Sequence, residues 1–502
     1  MSIPEEADVV VIGGGPAGSS VATALARLLH RVVVLDRATF PRPHIGESFP
    51  PKIAPLFSIL GVRDAIDGAG YTRMGATTVF AGDEILTHPF DPTQGMMGYQ
   101  VDRADFDRRL LEQSKAVGAQ VFEGVSFEAL SEDGTVVTYR RGEERGTITT
   151  RFVVDASGTA AVVAKALGLR QRDTVRTVAL TGYWRGTKAP EAFDDEDTLF
   201  EIMPEGWLWS VRLADGRRNI TLGVDANTVK SEDALPVELY LDRVRGSRLV
   251  GALVDGVEFD GALSAHDATW SRAARYVGER FLLAGDAGAF IDPLTAHGVF
   301  KALQSGITAS AVVNTILRRP ESTPIAIDYY DNMQSRSVLN YTSVALTFYR
   351  TSPYVSEPFW AARTRTEMAL SAEIDDLVTA TGIERRDRFR DDVEHKGGQR
   401  VSLTKNDTLK LKTLPSAEGV FVVERPALVG PSGQRVDIPA ALDPTKLFAQ
   451  LDGRTMSEVF DGYAADTMQG PNRNLGRGLM LALSALVERG LVEVAIDGRP
   501  SY

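Results

Sequence analysis

Three glycines and an aspartate near the start of this 502-residue chain have the spacing of a phosphate-binding turn. Gly13, Gly15 and Gly18 fall as G-x-G-x-x-G, and Asp36 follows after one helix-length interval and a short apolar run. In such a turn the first glycine makes the tight bend. The second lets the backbone approach a pyrophosphate, and the third lets a helix pack closely on a strand. Free N–H groups at the helix start, with the positive end of its dipole, favour the phosphates. An acid at the position of Asp36 accepts hydrogen bonds from ribose hydroxyls. The chemistry predicted is dinucleotide binding, and the turn alone does not choose between FAD and NAD.

These residues need particular elements behind them. Val9 to Ile12 is a β-branched run of the kind found in buried parallel strands. Residues 17–29 are rich in Ala and Leu and read as a helix, and Val32 to Leu35 as a second strand ending at Asp36. Much later, Phe281 to Ala284 is another apolar strand, Gly285–Asp286 a turn, and Gly298 to about Leu317 a helix. Taken alone, Asp286 could also be a helix cap.

The length predicts two or three domains. A chain that is 43% hydrophobic and 24% charged has the balance of a folded globular protein. With 55 Lys+Arg against 67 Asp+Glu the net charge is −12. That argues against a nucleic-acid partner, which needs a basic footprint, and weakly against anionic membranes. The absence of cysteine excludes disulfides, thiolate nucleophiles and Cys-ligated metals, and no metal site is predicted. The N-terminal "MSIPEEADVV" has no basic region, and no apolar run approaches the ~20 residues of a membrane span. The expectation is a cytoplasmic protein.

Five further stretches extend the pattern: "RATFPRPHIGESFPP" (37–51), "YQVDRADFDRRLL" (99–111), "FVVDASG" (152–158), "GWLW" (206–209) and "FLLAGDAGAFIDPLTAHGVFKALQSG" (281–306). In this order the chain, over about residues 7–375, resembles the FAD-dependent monooxygenases of the hydroxybenzoate-hydroxylase fold. More narrowly, through "IGES" and "GWLW", it resembles the flavin-dependent halogenases and the related tryptophan-hydroxylating flavoproteins of quinone-cofactor maturation. The resemblance implies a mixed α/β fold: a Rossmann-type FAD-binding domain interleaved with an antiparallel-sheet substrate domain. The FAD parts fall at about 1–70, 100–175 and 275–330, the substrate sheet at about 71–99 and 176–270, and further helices at 331–375. It implies that Gly13, Gly15 and Gly18 cradle the pyrophosphate and that Asp36 holds the adenosine ribose. Arg42 and Ser48 would contact the flavin side, Arg103 the central part of FAD, and Asp286 the ribityl chain or pyrophosphate. Pro293 to Val299, with His297 and Gly298, would wrap the isoalloxazine ring, where the helix start can stabilise negative charge. Ala17, Arg37 and Val125 complete the expected cofactor contacts.

Halogenases of this kind are viewed as oxidising halide at a flavin hydroperoxide and passing hypohalous acid to a lysine. The matching position here holds Arg73, in "GYTRMGATTVF". Arginine stays protonated and is a poor nucleophile, and Arg73 reads equally as a solvated surface charge. The family signature continues with Ile and Pro after the second tryptophan, whereas this chain has Val211 and Arg212. The resemblance makes Trp207 and Trp209 a screen between flavin and substrate; the plainer reading is a strand with paired aromatics. His297 suits a general base or proton shuttle near the flavin, or a simple loop hydrogen bond. The leading expectation is an FAD-dependent monooxygenase that hydroxylates an aromatic side chain, tryptophan first, of a peptide or protein through a flavin C4a-hydroperoxide. The alternatives are a flavin-dependent halogenase of an aromatic or carrier-bound substrate, a flavin reductase, and a non-catalytic flavin-binding maturation factor. NAD(P)H is the expected reductant, directly or through a partner reductase, although no site for it is visible.

The tail reads as a separate domain. Residues 376–400 are charged and read as a linker, and 401–502 as a small winged-helix-like module that docks a peptide or protein. Thr455 and Glu458 form a T-x-x-E capping box, and 475–489 is an amphipathic helix with Leu479, Leu483, Leu486 and Val487 on one face. That helix lacks a dense basic stripe, which disfavours DNA, and a purely structural cap is the alternative.

Overall fold

The computed structural model describes residues 2–90, 97–190, 193–231, 236–259, 261–365, 401–431, 435–436, 438–439, 442–465, 473–496 and 499–500. The chain forms two compact units. One comprises Met1–Ile374 with Gly419–Phe421, the other Asp375–Glu418 with Val422–Tyr502. The expected linker at 376–400 lies outside the described residues.

The first unit is built on two large sheets. In one, Gln120–Glu123, Val32–Asp36, Glu6–Ile12 and Glu144–Asp155 lie side by side and parallel. Phe281–Leu283 joins Glu144–Asp155, also in parallel. Val9, Val10, Val11, Val33 and Val34 are all buried, as expected of a parallel sheet covered on both faces. The helix Pro16–Arg27 leaves the first strand directly after the glycine turn and packs against the helix Gly298–Arg318.

The second sheet runs in the order Ser264–Asp267, Thr177–Arg185, Arg217–Asp225, Gly206–Arg212, Thr198–Met203, Ala76–Ala81, Glu84–Pro89. Its pairs are antiparallel except Thr198–Met203 with Ala76–Ala81. Side chains alternate between its faces with period two. One face buries Leu180, Leu199, Leu208, Ile220 and Leu222 in a core with Trp184, Tyr240 and Val250. The other face presents three cross-strand rows. Tyr183, Asn219 and Val211 form one row, Thr181, Thr221 and Trp209 the next, and Ala179, Gly223 and Trp207 the third.

A small sheet of Ser48–Phe49, Gly98–Gln100 and Thr72–Met74 stands beside these and sets Arg73 opposite Tyr99. The long helix Thr323–Thr351 follows Gly298–Arg318 and packs on it. No helix among the described residues is long and apolar enough to cross a membrane.

The second unit has its own core of Leu403, Leu447, Val459, Leu483, Leu486 and Val494. Its sheet orders Asp452–Thr455, Val401–Lys405, Val492–Ile496 and Arg499–Pro500, accompanied by the helices Pro444–Gln450, Met456–Ala465 and Arg473–Glu488. The expected capping box is formed. The Glu458 carboxylate accepts from Thr455 N at 2.8 Å, and Glu458 N donates to Thr455 Oγ1 at 3.3 Å.

Candidate active site

A cavity of about 710 Å³ runs through the first unit, from the glycine turn to the second sheet. That volume suits a large organic cofactor. At one end the turn behaves as its spacing predicts. Gly13 has φ +103, and a Cβ there would stand 2.4 Å from the Ala156 carbonyl oxygen. A Cβ on Gly18 would stand 1.8 Å from the Gly13 carbonyl oxygen, so this glycine is required by helix–strand packing and does not itself line the cavity. Gly15 is different. Its Cβ would meet only Arg42 Nη2, at 3.3 Å, and its backbone faces the cavity with Gly13 and Ala17.

Asp36 is buried at the cavity wall beside Arg37 and Val125. One carboxylate oxygen accepts from Gly14 N at 2.6 Å and the other from Ala38 N at 2.8 Å. Each oxygen keeps a lone pair for a ribose hydroxyl. The loop from Arg42 to Ser48 forms another wall, braced by Arg103. That arginine makes a two-pronged pair with the buried Asp107, at 2.9 and 3.0 Å, and donates to the Ile45 carbonyl at 2.6 Å. Arg42 stands 3.5 Å from the same aspartate, and Ser48 Oγ is 2.9 Å from Thr198 Oγ1.

Asp286, Pro293, Gly298 and Val299 line the far end. Lys301 Nζ holds Asp286 at 2.9 Å. The helix Gly298–Arg318 has no side-chain cap at its start, so its first N–H groups can serve an anionic ring or its substituents. The glycine cradle, the acid at the second strand and the helix start at the opposite end fit FAD, with the adenosine side at Asp36 and the ring side at Gly298.

Trp207 and Trp209 also line the cavity, on the third and second rows of the cavity-facing side of the second sheet. Trp207 lies flat on the backbone of Gly223: a Cβ there would be 2.1 Å from the indole. Phe200 packs against both tryptophans, with centroids at 6.1 and 5.7 Å.

His297 and Arg73 do not line the cavity. His297 occupies the N-cap position of the helix, and its Nδ1 bonds the Thr295 carbonyl oxygen. Its ring packs on Tyr341 at 5.4 Å, and burial lowers its pKa, so it is neutral at pH 7. Arg73 pairs with Asp67 at 3.2 Å, donates to the Met97 carbonyl and stacks 3.8 Å over the Tyr99 ring.

Sequence reasoning missed Glu47, Asn219, Thr221 and Asp292, all of which line the cavity. Glu47 stands inside the quoted "IGES" motif and received no role. Asp292 is fully engaged by Trp270 Nε1 (2.5 Å), Tyr349 Oη (2.7 Å) and Leu294 N (2.9 Å), and pins the loop that leads to Gly298. Asn219 and Thr221 follow from the period-two pattern of "RRNITLGVD", once the cavity-facing side of that strand is known. Among the described residues no cluster of His, Asp and Glu could hold a metal ion.

The profile of the FAD binding domain matches residues 6–319, more than half of the chain. The tryptophan 2-halogenase of Chondromyces crocatus is 31% identical over 375 residues, 72% of each chain. Among solved structures, that of CmlS, a flavin-dependent halogenase, superposes with TM-score 0.81 at 23% identity, covering 99% of this chain and 98% of that one. The peptidyl tryptophan dihydroxylase QhpG, essential for tryptophylquinone cofactor biogenesis, gives TM-score 0.68 at 22% identity over 97% and 100%. These two likenesses bear on fold alone. From the family profile and the aligned relative, the chain belongs to the FAD binding domain family and, within it, to the flavin-dependent halogenase family.

Proposed function

We propose that this protein is a flavin-dependent halogenase that modifies an electron-rich aromatic ring. The observation that carries the reading is the alignment with a tryptophan 2-halogenase across nearly three quarters of both chains. The wall of Trp207 and Trp209 at the ring end of the cavity agrees with it. Bound FAD would supply the oxidising chemistry with dioxygen. The chain's own residues do the rest. Gly13, Gly15 and Asp36 hold the adenosine diphosphate half, the helix start at Gly298 favours negative charge on the ring, and Trp207, Trp209 and Val211 keep that end dry. Electrons come from NAD(P)H, directly or through a reductase that delivers them to the flavin. The second unit is proposed to dock a carrier or peptide that presents the ring.

Arg73 favours a second reading, aromatic hydroxylation. It stands where a relay lysine is expected, its guanidinium is committed to Asp67 and Tyr99, and it lies off the cavity. Oxygen insertion needs no amine relay. One experiment separates the two. The FAD-loaded protein is reduced, mixed with oxygen and an indole or monochlorodimedone-type trap, and assayed with and without bromide. Halogenation predicts a brominated trap and no product without halide. Bromide-independent oxygen incorporation would transfer the assignment to hydroxylation.

A further inference from the structure

Among the carboxyl groups on the cavity wall, one is buried and has a place neither in cofactor binding nor in the loop that Asp292 pins. Glu47 lines its wall and is only 4% exposed. Its Oε1 accepts from the Tyr183 phenol at 2.7 Å, across to the cavity-facing rows of the second sheet. In the same row stands Asn219, 3% exposed and lining the cavity. Asn219 interacts with the Tyr183 phenol, yet no acceptor meets hydrogen-bond geometry at its Nδ2. Asn219 Oδ1 accepts from Thr221 Oγ1 at 2.8 Å, so a buried carboxyl and one amide Nδ2 without an acceptor mark the polar part of this wall, where the cavity's occupant can exchange hydrogen bonds.

We propose that Glu47 is the cavity's proton acceptor, taking up one proton from solvent when the cofactor is reduced at a pH where its carboxyl is still ionised. The inference rests on FAD occupying the cavity and not on halide chemistry. Two electrons, from reduced nicotinamide or a reductase's reduced flavin, and one proton go to the ring. The carboxylate takes a second proton and forms no bond to the cofactor. The physical cause is charge: an added negative charge in the same low-dielectric cavity disfavours a second anion.

The surroundings keep this titration in a useful range. Burial raises Glu47 to about 7, against the pull of the Tyr183 bond, Arg103 from the helix Arg103–Ala116 and Arg217 from the second sheet. Asp102, the cap of that helix, pushes the same way as burial. On Glu47's own loop, the charge of Arg103 holds His44 down at about 4, so it stays neutral near pH 7 and does not compete.

The test is the number of protons taken up per FAD reduced, measured from pH 6 to pH 8 on the FAD-loaded full chain. The native protein should take up close to one near pH 6, where Glu47 is already protonated, rising towards two near pH 8. Glu47→Gln should take up one throughout. Tyr183→Phe removes a bond that favours the carboxylate, so its rise should move to higher pH. This variant keeps the test decisive if the first fails to fold. A native profile indistinguishable from that of Glu47→Gln overturns the proposal. So does an extra proton at low pH that survives in the variant, because it belongs to the ring. FAD affinity is titrated in parallel. A native chain that binds no FAD overturns the cofactor reading as well, and is thereby told apart from a failure of Glu47 alone.

Discussion

Gly15 and Gly18 sit three residues apart in one motif, yet the structure gives them opposite sensitivities. At Gly18 a Cβ would lie 1.8 Å from the Gly13 carbonyl oxygen, backbone that cannot give way without opening the turn. Gly18→Ala should therefore destabilise the cofactor-free protein by about 2 kcal/mol or more, on the scale of an overpacked core. At Gly15 the backbone is extended, with φ −71 and ψ −172, and the nearest neighbour is the end of the flexible Arg42 side chain. Alanine tolerates that conformation, and the lost freedom of the unfolded chain favours the variant by about 0.4–1 kcal/mol. The methyl group points at the space for the pyrophosphate, so FAD affinity should fall by roughly 10- to 100-fold, about 1.4–2.8 kcal/mol. Urea unfolding of the cofactor-free proteins gives the first pair of numbers, and flavin-fluorescence titration gives the second. Native affinity in Gly15→Ala would refute the placement of the pyrophosphate. Equal destabilisation of both variants would refute the division of labour between the two glycines.

Three further expectations can be checked with similar tools. Gly223→Ala should displace the Trp207 indole, 2.1 Å from the added methyl, costing about 1–3 kcal/mol and shifting tryptophan emission. Glu47 has a folded-state pKa of about 7 against 4.5 for the free side chain. The folded state then holds a proton that the unfolded state releases, so the stability of the cofactor-free protein should decline by about 3 kcal/mol as pH rises from about 4.5 through 7. Glu47→Gln should lack that decline, and parallel denaturation curves across this range would show the burial to be relieved. Arg73→Ala should leave FAD affinity unchanged and cost under about 1 kcal/mol, because its partner Asp67 is partly exposed and the stacking on Tyr99 is modest. A loss of FAD binding in this variant would place Arg73 at the cavity after all.

The dinucleotide half of the site was legible because its signal is local. A turn, the helix after it and the acid at the end of the next strand are all written within one short stretch. Gly18 shows where that reading stops: its role is packing, while Gly13 and Gly15 face the cavity. Glu47 was illegible for the opposite reason. Its partner Tyr183 is 136 residues away, and the two meet only because strand register turns that phenol to the cavity face. Trp207 and Trp209 could be read as a pair but not aimed, since alternation says they share a face without saying which. For Arg73 the deciding contacts are Tyr99, paired with it in the small sheet, and Asp67, at the end of the preceding helix Arg63–Asp67. A histidine beside glycine in a flavin-wrapping loop suggested chemistry; its packing against Tyr341 and the Nδ1 bond to the Thr295 carbonyl engage His297 away from the cavity lining.

The strand Phe281–Leu283 closes the parallel sheet against Glu144–Asp155, although most of the second sheet is written between them. The walls of the cavity are consequently drawn from segments that run from Ile12 to Ala302. During synthesis the N-terminal turn emerges well before Ala156, on which Gly13 packs, and before the helix that begins at Gly298. Only when the helix beginning at Gly298 has left the ribosome can the cofactor be enclosed. Long-range closure of this kind is slow and leaves apolar strand surface uncovered in the meantime. A chain interrupted before the strand Phe281–Leu283 lacks both that strand of the parallel sheet and the far wall of the cavity.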